Sequence, residues 1–242
     1  MKWSCFISVL LVLLRTAEGL LREYISDNLH KNWTDARNYC MRNYRGLAVV
    51  TNEEEYERVQ QIAGPLGSGW IGLHRSVINL SEWLWDDGNE NFYFPWMTGQ
   101  PNSFNGTQDC VQITPTGWND FHCWTIQSFY CYRFIILVEE KKTWEQALDY
   151  CRVHYKNMAY PTTNSQLQLA EQEAIQNQVN LVWTGMRFLN RSWYWVNGKQ
   201  LNSSISMPSC PGSQSGCGAR NIRTHVWENR LCDEKLPFLC YW

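Results

Sequence analysis

The sequence predicts an α+β protein made of two tandem units, each with two helices, short antiparallel strands and a long loop region. Two observations carry this reading. Tryptophan and cysteine landmarks recur in one order in both halves, which marks an internal repeat. In each half the coarse order is a strand, two helices with capping signals, then a loop-rich stretch with short strands, and in the first half that stretch turns to Gly, Pro, Asn and Trp from Gly64 onward.

The composition supports folded units. With 242 residues, 44% hydrophobic content, 14 Trp, 12 Tyr and 9 Phe, the chain has too much apolar material for an unstructured polymer. A net charge of -2 excludes a nucleic-acid binder that relies on a basic excess to neutralise phosphates. The 10 Cys fall well below the roughly 8–10% of residues that marks a scaffold held mainly by disulfides, so they supplement hydrophobic cores.

The N-terminus reads as a secretory signal over residues 1–19. Lys2 supplies the positive start, Cys5 to Leu14 is a short apolar run, and Ala17-Glu18-Gly19 is a small-x-small cleavage pattern. That run is far shorter than the roughly 20 residues needed to cross a bilayer core of about 30 Å. No later segment is apolar for long enough, and Tyr241-Trp242 ends the chain without a hydrophobic tail. The expectation is a secreted, extracellular protein with no membrane span. In the oxidising route thiols pair, and loss of Cys5 with the signal leaves an odd number.

The repeat is detailed. Trp33 precedes Cys40 as Trp144 precedes Cys151, and Trp70-Ile71-Gly72-Leu73 recurs as Trp183-Thr184-Gly185-Met186. Trp83-Leu84-Trp85 recurs as Trp193-Tyr194-Trp195, and Trp118, Cys123 and Cys131 recur as Trp227, Cys232 and Cys240. Domains at 20–132 and 133–242 follow. Between Cys131 and the β-branched strand Phe134–Val138 stand only Tyr132-Arg133, with no linker composition.

Within each unit the first helix carries an apolar face, Ala36, Tyr39 and Cys40 in one and Ala147, Leu148 and Cys151 in the other. Thr143 with Gln146 forms a capping-box pattern for the latter helix. Second helices are predicted to start at Thr51 with Glu54 and at Thr163 with Gln166. Beyond Gly64 short strands such as Cys110–Ile113 and Ser128–Cys131 are expected between turns. The repeated tryptophans Trp70, Trp83, Trp85, Trp183, Trp193 and Trp195 read as core, whereas Trp96 and Trp124 lie nearer the loop and read as candidate ligand-facing rings.

These residues resemble the C-type lectin-like domain twice over. In the first unit the match runs through Trp33, Cys40, the WIGL of residues 70–73, Trp96-x-x-Gly-Gln-Pro-Asn102, Cys110, Trp118-Asn119-Asp120, Cys123 and Cys131. The second unit repeats the frame in Trp144, Cys151, the WTGM of residues 183–186, Cys217, Trp227, Cys232 and Leu236–Cys240. Four cysteines per unit allow three pairings by sequence alone. The resemblance implies Cys40–Cys131 and Cys110–Cys123, then Cys151–Cys240 and Cys217–Cys232. Cys210 has no counterpart and is either a free thiol or the link to a disulfide-bonded partner.

The resemblance also implies a glycan- or glycoprotein-binding loop that holds calcium. The family's ligand positions map onto Gln100, Asn102, Gln108, Asn119 and Asp120, all oxygen donors suited to calcium. Carboxylates usual in the family are replaced by Gln100 and Gln108, so only Asp120 is anionic and any calcium is expected to be held weakly. Gln-Pro-Asn matches neither the mannose-type nor the galactose-type triplet. In the second unit the same region reads Ser206-Met207-Pro208-Ser209-Cys210 with Trp227-Glu228-Asn229, and no calcium site is expected. The alternative is a calcium-independent protein-binding or adaptor module with a vestigial sugar site.

Sequons at Asn32, Asn79, Asn105, Asn190 and Asn202 predict a glycoprotein, with Asn105 inside the proposed loop. The five His residues form no metal-protease or hydrolase pattern, so no enzymatic activity is expected.

Overall fold

The computed structural model describes residues 21–65, 67–90, 92–198, 201 and 216–242. The signal segment 1–19, Asn202 and Cys210 lie outside the described residues. The chain divides into two compact units. One is built on Arg22–Phe134 with Leu148–Met158 and Cys240–Trp242, and the other on Leu21, Ile135–Ala147 and Ala159–Leu239.

The first repeat opens with strand β1 (Arg22–Ile25), helix α1 (Trp33–Asn43), strand β2 (Gly46–Leu47) and helix α2 (Glu53–Ala63). Asn32 caps α1 by accepting from the Asp35 N–H at 2.9 Å, and Trp33, Ala36 and Cys40 form its buried face. Strands β3 (Gly69–Arg75), β4 (Trp83–Trp85), β5 (Cys110–Thr114) and β6 (Gly117–Phe121) follow and make an antiparallel sheet in the order β4-β3-β5-β6. Strand β7 (Cys131–Lys142) pairs antiparallel with β1, placing Glu23 opposite Arg133, and with β2.

Two expectations about elements need correction. Helix α2 is capped by Asn52 rather than Thr51, and Glu55 rather than Glu54 turns back to it, accepting from the Thr51 N–H and hydroxyl at 2.8 Å each. Glu55 is buried and also receives Arg22 at 2.9 Å, so a tertiary ion pair selects which glutamate closes the cap. The separate strands expected at Ser128–Cys131 and Phe134–Val138 are one strand, β7, beginning at Cys131. The Tyr132-Arg133 pause does not break it because the buried Arg133 guanidinium is met by Glu23 at 2.8 and 2.9 Å.

The second repeat contains helix α3 (Trp144–His154), strand β8 (Asn157–Met158), helix α4 (Asn164–Gln176) and strands β9 (Leu181–Leu189), β10 (Ser192–Trp195), β11 (Gly216–Asn221), β12 (Val226–Leu231) and β13 (Leu236–Tyr241). The Thr163–Gln166 capping box is formed as the sequence predicts. Strand β9 lies between β10 and β11, and β13 runs parallel to it through Phe238 opposite Trp183.

Two of the recurring tryptophan pairs make matching contacts. The Trp33 indole N–H donates to Ile71 O and that of Trp144 to Thr184 O, each at 2.9 Å. Trp70 likewise reaches Lys31 O at 3.1 Å and Trp183 reaches Lys142 O at 3.0 Å. Each of these four rings fills a core and spends its one polar atom on a main-chain carbonyl, which no aliphatic residue can do. Bridges Cys40–Cys131 and Cys151–Cys240 join first helix to last strand, and Cys110–Cys123 and Cys217–Cys232 tie the loop-bearing strands.

Candidate ligand-binding loop

The segment between β4 and β5 is held at both ends. On the entering side, Trp96 packs against Trp83 and Trp118 with ring centres 5.0 and 6.2 Å apart, and the Met97 N–H donates to Trp118 O at 2.9 Å. Trp96 is therefore largely spent on packing. Gly99, with φ +82°, then allows the Gln100 N–H to turn back onto Met97 O at 2.9 Å. The Gln100–Pro101 bond is cis. On the leaving side the Cys110–Cys123 bridge fastens β5.

Four of the five residues singled out from the sequence, Gln100, Asn102, Gln108 and Asp120, come together here, and Asn119 precedes Asp120 on β6. Asp120 on β6 is fully buried, and its carboxylate accepts from the Asn102 N–H at 3.0 Å and the Ser103 N–H at 2.7 Å. A buried carboxylate requires such compensation, and it fixes the loop backbone in return. Gln100 Oε1 shares the Asn102 N–H at 3.1 Å. Asn102 Oδ1 and Gln108 Oε1 both receive the Phe104 N–H, at 3.0 and 2.8 Å. Asn119 Oδ1 is buried and has no protein partner. Among the described residues, the amide NH2 groups of Gln100, Asn102 and Asn119 donate to no protein acceptor.

Arg75 was not evident from sequence. It ends β3, opposite Trp83 in the β3–β4 register, and its guanidinium stacks over the Trp83 ring at 4.4 Å. Its Nε donates to Asp109 Oδ1 at 3.0 Å, Nη1 to Leu80 O at 2.7 Å and Nη2 to Gln108 O at 3.4 Å, with Asp120 Oδ2 3.5 Å from Nη2. No spacing pattern signals such a residue, since the sheet register brings its partners together.

The donor set does not fit a resident calcium ion as it stands. Calcium draws on about six to eight oxygens, and its affinity rises with ligand charge. Here the one anionic member, Asp120, is already shared by two backbone N–H groups and a guanidinium. Three of the four amide oxygens also face backbone donors.

A second feature borders the loop. Trp124 is 65% exposed and stacks on His122 with ring centres 4.6 Å apart, and His122 Nδ1 lies 3.1 Å from Thr107 Oγ1. In the second repeat the counterpart segment Ser206–Cys210 lies outside the described residues. Glu228 there accepts from the Asn221 amide at 2.7 Å and pairs with Arg230 at 3.4 Å. The sequons Asn105 and Asn190 sit on exposed turns with φ +56° and +50°, whereas the side-chain NH2 groups of Asn32 and Asn79 donate to Asp35 and Glu82 at 2.9 and 2.7 Å.

Among the described residues, the only metal-type grouping joins Glu145 to Cys217 and Cys232, and those cysteines are bonded to each other. No described helix is long and apolar enough to cross a membrane.

Comparison with known proteins identifies the family. The family model for the Lectin C-type domain matches residues 29–133 and again 140–242. The C-type lectin BML-1 of Bungarus multicinctus is 34% identical over 112 residues, 42% of this chain and 70% of that protein. Asialoglycoprotein receptor 1 of Rattus norvegicus is 40% identical over 101 residues, 38% of this chain and 34% of the receptor. The mouse scavenger receptor C-type lectin carbohydrate-recognition domain aligns with a TM-score of 0.42 at 30% identity, covering 47% of this chain and 90% of that one. With the family model matched twice and taking in most of its length, the chain belongs to the C-type lectin family and carries two tandem lectin domains.

Proposed function

We propose that the protein is a secreted, non-enzymatic glycan-binding lectin whose first domain, within 20–132, carries the binding loop, while the second, 133–242, serves as a structural or protein-contacting module. One observation carries this reading: Gln100 and Asn102, whose amide NH2 groups donate to no described protein acceptor, are held on one loop by the buried Asp120, and the neighbouring Asn119 on β6 keeps an unpartnered Oδ1. A sugar hydroxyl donates and accepts at once, which matches an amide's paired C=O and NH2. The exposed Trp124–His122 stack, joined to the loop at Thr107, offers the apolar face of a sugar ring a flat partner. Gln108 and Asp120 hold the loop from beneath. The amides present hydrogen bonds directly, and calcium is no part of this reading.

The relative named as an asialoglycoprotein receptor makes desialylated glycoprotein chains the first ligand class to test. The experiment is binding of the enzymatically deglycosylated protein to a glycan array and to a desialylated glycoprotein, with and without chelator. Binding is expected in both conditions. Asn119→Ala is expected to weaken it about tenfold, equivalent to about 1.4 kcal/mol. Absence of any glycan signal would favour the rival reading, a protein-binding module with a vestigial site. Full retention of binding in Asn119→Ala would move the site elsewhere.

A further inference from the structure

We propose that Arg75 is the built-in cation of the binding loop, so that the segment from Gln100 to Asp109 keeps its shape without any bound metal. The inference goes beyond the glycan reading and does not depend on it, because it concerns how the loop is held rather than what it binds.

The guanidinium is surrounded by oxygens from three other segments. It donates to three oxygens, the Asp109 carboxylate and the main-chain carbonyls of Leu80 and Gln108, and forms an ion pair with the Asp120 carboxylate. Asp120 is fully buried, and a carboxylate removed from water needs both hydrogen bonds and opposing charge. Arg75 supplies that charge permanently, since a guanidinium does not lose its proton in a protein. Its planar fork serves several oxygens at once, which a lysine ammonium on a flexible stem does less well.

The side chain is also fixed in place. It is only 13% exposed, it lies on the Trp83 ring, and its own backbone N–H is tied to Asp109 O at 2.8 Å. A chain of contacts then leads from charge to loop. Arg75 steadies Asp120, and Asp120 holds the Asn102 and Ser103 N–H groups that fix the loop backbone. A dication brought to the same oxygens would meet a positive charge already there, so calcium has little to add.

The test is amide hydrogen exchange at Asn102, Ser103 and Phe104, read by mass spectrometry in calcium and in chelator, with no sugar present. In the unaltered protein the two conditions are expected to agree within about twofold, as for a loop whose opening energy does not depend on metal. Arg75→Gln is expected to speed exchange at these amides about tenfold or more in both conditions while leaving β7 unchanged. Arg75→Asp adds a carboxylate to the cluster, and its protection is expected to return only when millimolar calcium is added. A residue with a merely structural role would show no such rescue. The proposal is overturned if calcium slows the unaltered loop about tenfold, if Arg75→Gln exchanges as slowly as the parent, or if Arg75→Asp is indifferent to calcium. The first comparison needs no variant and stands even if a substitution prevents folding.

Discussion

Asn32 shows how one side chain can belong to two chemistries. As a sequon asparagine it is a candidate for glycan attachment, yet its amide is also the cap of α1, taking the Asp35 N–H and returning its own NH2 to the Asp35 carboxylate, both at 2.9 Å. Removing a cap of this kind costs about 1 kcal/mol. Asn32→Ala should therefore lower the first domain's melting temperature by roughly 4–8 °C. Thr34→Ala destroys the same sequon but alters an exposed residue of the helix surface, and should leave the melting temperature in place. Calorimetry on both variants separates the roles, and equal shifts would mean that the glycan, not the cap, is the stabilising element. At this scale the sequence was a good guide to groups defined by their own chemistry: Gln100, Asn102, Gln108 and Asp120 hydrogen-bond around one loop, and the cysteines of the four bridges pair as the family resemblance implies. Arg75 escaped because its role comes from neighbours on three other segments, Leu80, Asp109 and Asp120, which only folding assembles.

Among the elements, the readings that failed did so where a tertiary partner overruled a local signal. Thr51 with Glu54 and Asn52 with Glu55 are comparable capping pairs locally, and the Arg22–Glu55 ion pair decides between them. The strand break expected at Tyr132-Arg133 vanishes because Glu23 neutralises the buried arginine. Close packing between strands was equally hidden. Gly218 on β11 lies under Met186 of β9, where an added Cβ would stand 2.5 Å from the methionine Cβ and 2.7 Å from its sulfur. Met186 is itself fully buried against Trp193, Trp195 and Trp227 and has no room to retreat. Gly218→Ala should destabilise the second domain by about 1–3 kcal/mol, the usual cost of overpacking. The midpoint of urea denaturation checks this, and an unchanged midpoint would show that the two strands can part without cost.

For the molecule as a whole, the two repeats keep the same frame and differ in their loops. The frame was legible because tryptophan and cysteine are chemically hard to replace. Matching indole N–H contacts and long helix-to-strand bridges occur in both copies. The loops were less legible, since polar residues there read the same whether they face a ligand or one another. In the first repeat Asn119 leaves an oxygen unpartnered, whereas in the second Glu228 spends its oxygens on Asn221 and Arg230. A satisfied carboxylate has little to offer a sugar hydroxyl, because a new bond would displace an existing one of similar worth. The division of labour proposed above then makes a concrete demand. In the intact two-domain chain, the double variant Glu228→Ala, Asn229→Ala should bind glycan within about twofold of the parent, against the roughly tenfold loss expected for Asn119→Ala. Equilibrium titration with the strongest array ligand, on protein shown by circular dichroism to be folded, measures both. A loss in the double variant as large as that in Asn119→Ala would place a second sugar site in the second repeat and remove its assignment as a structural module.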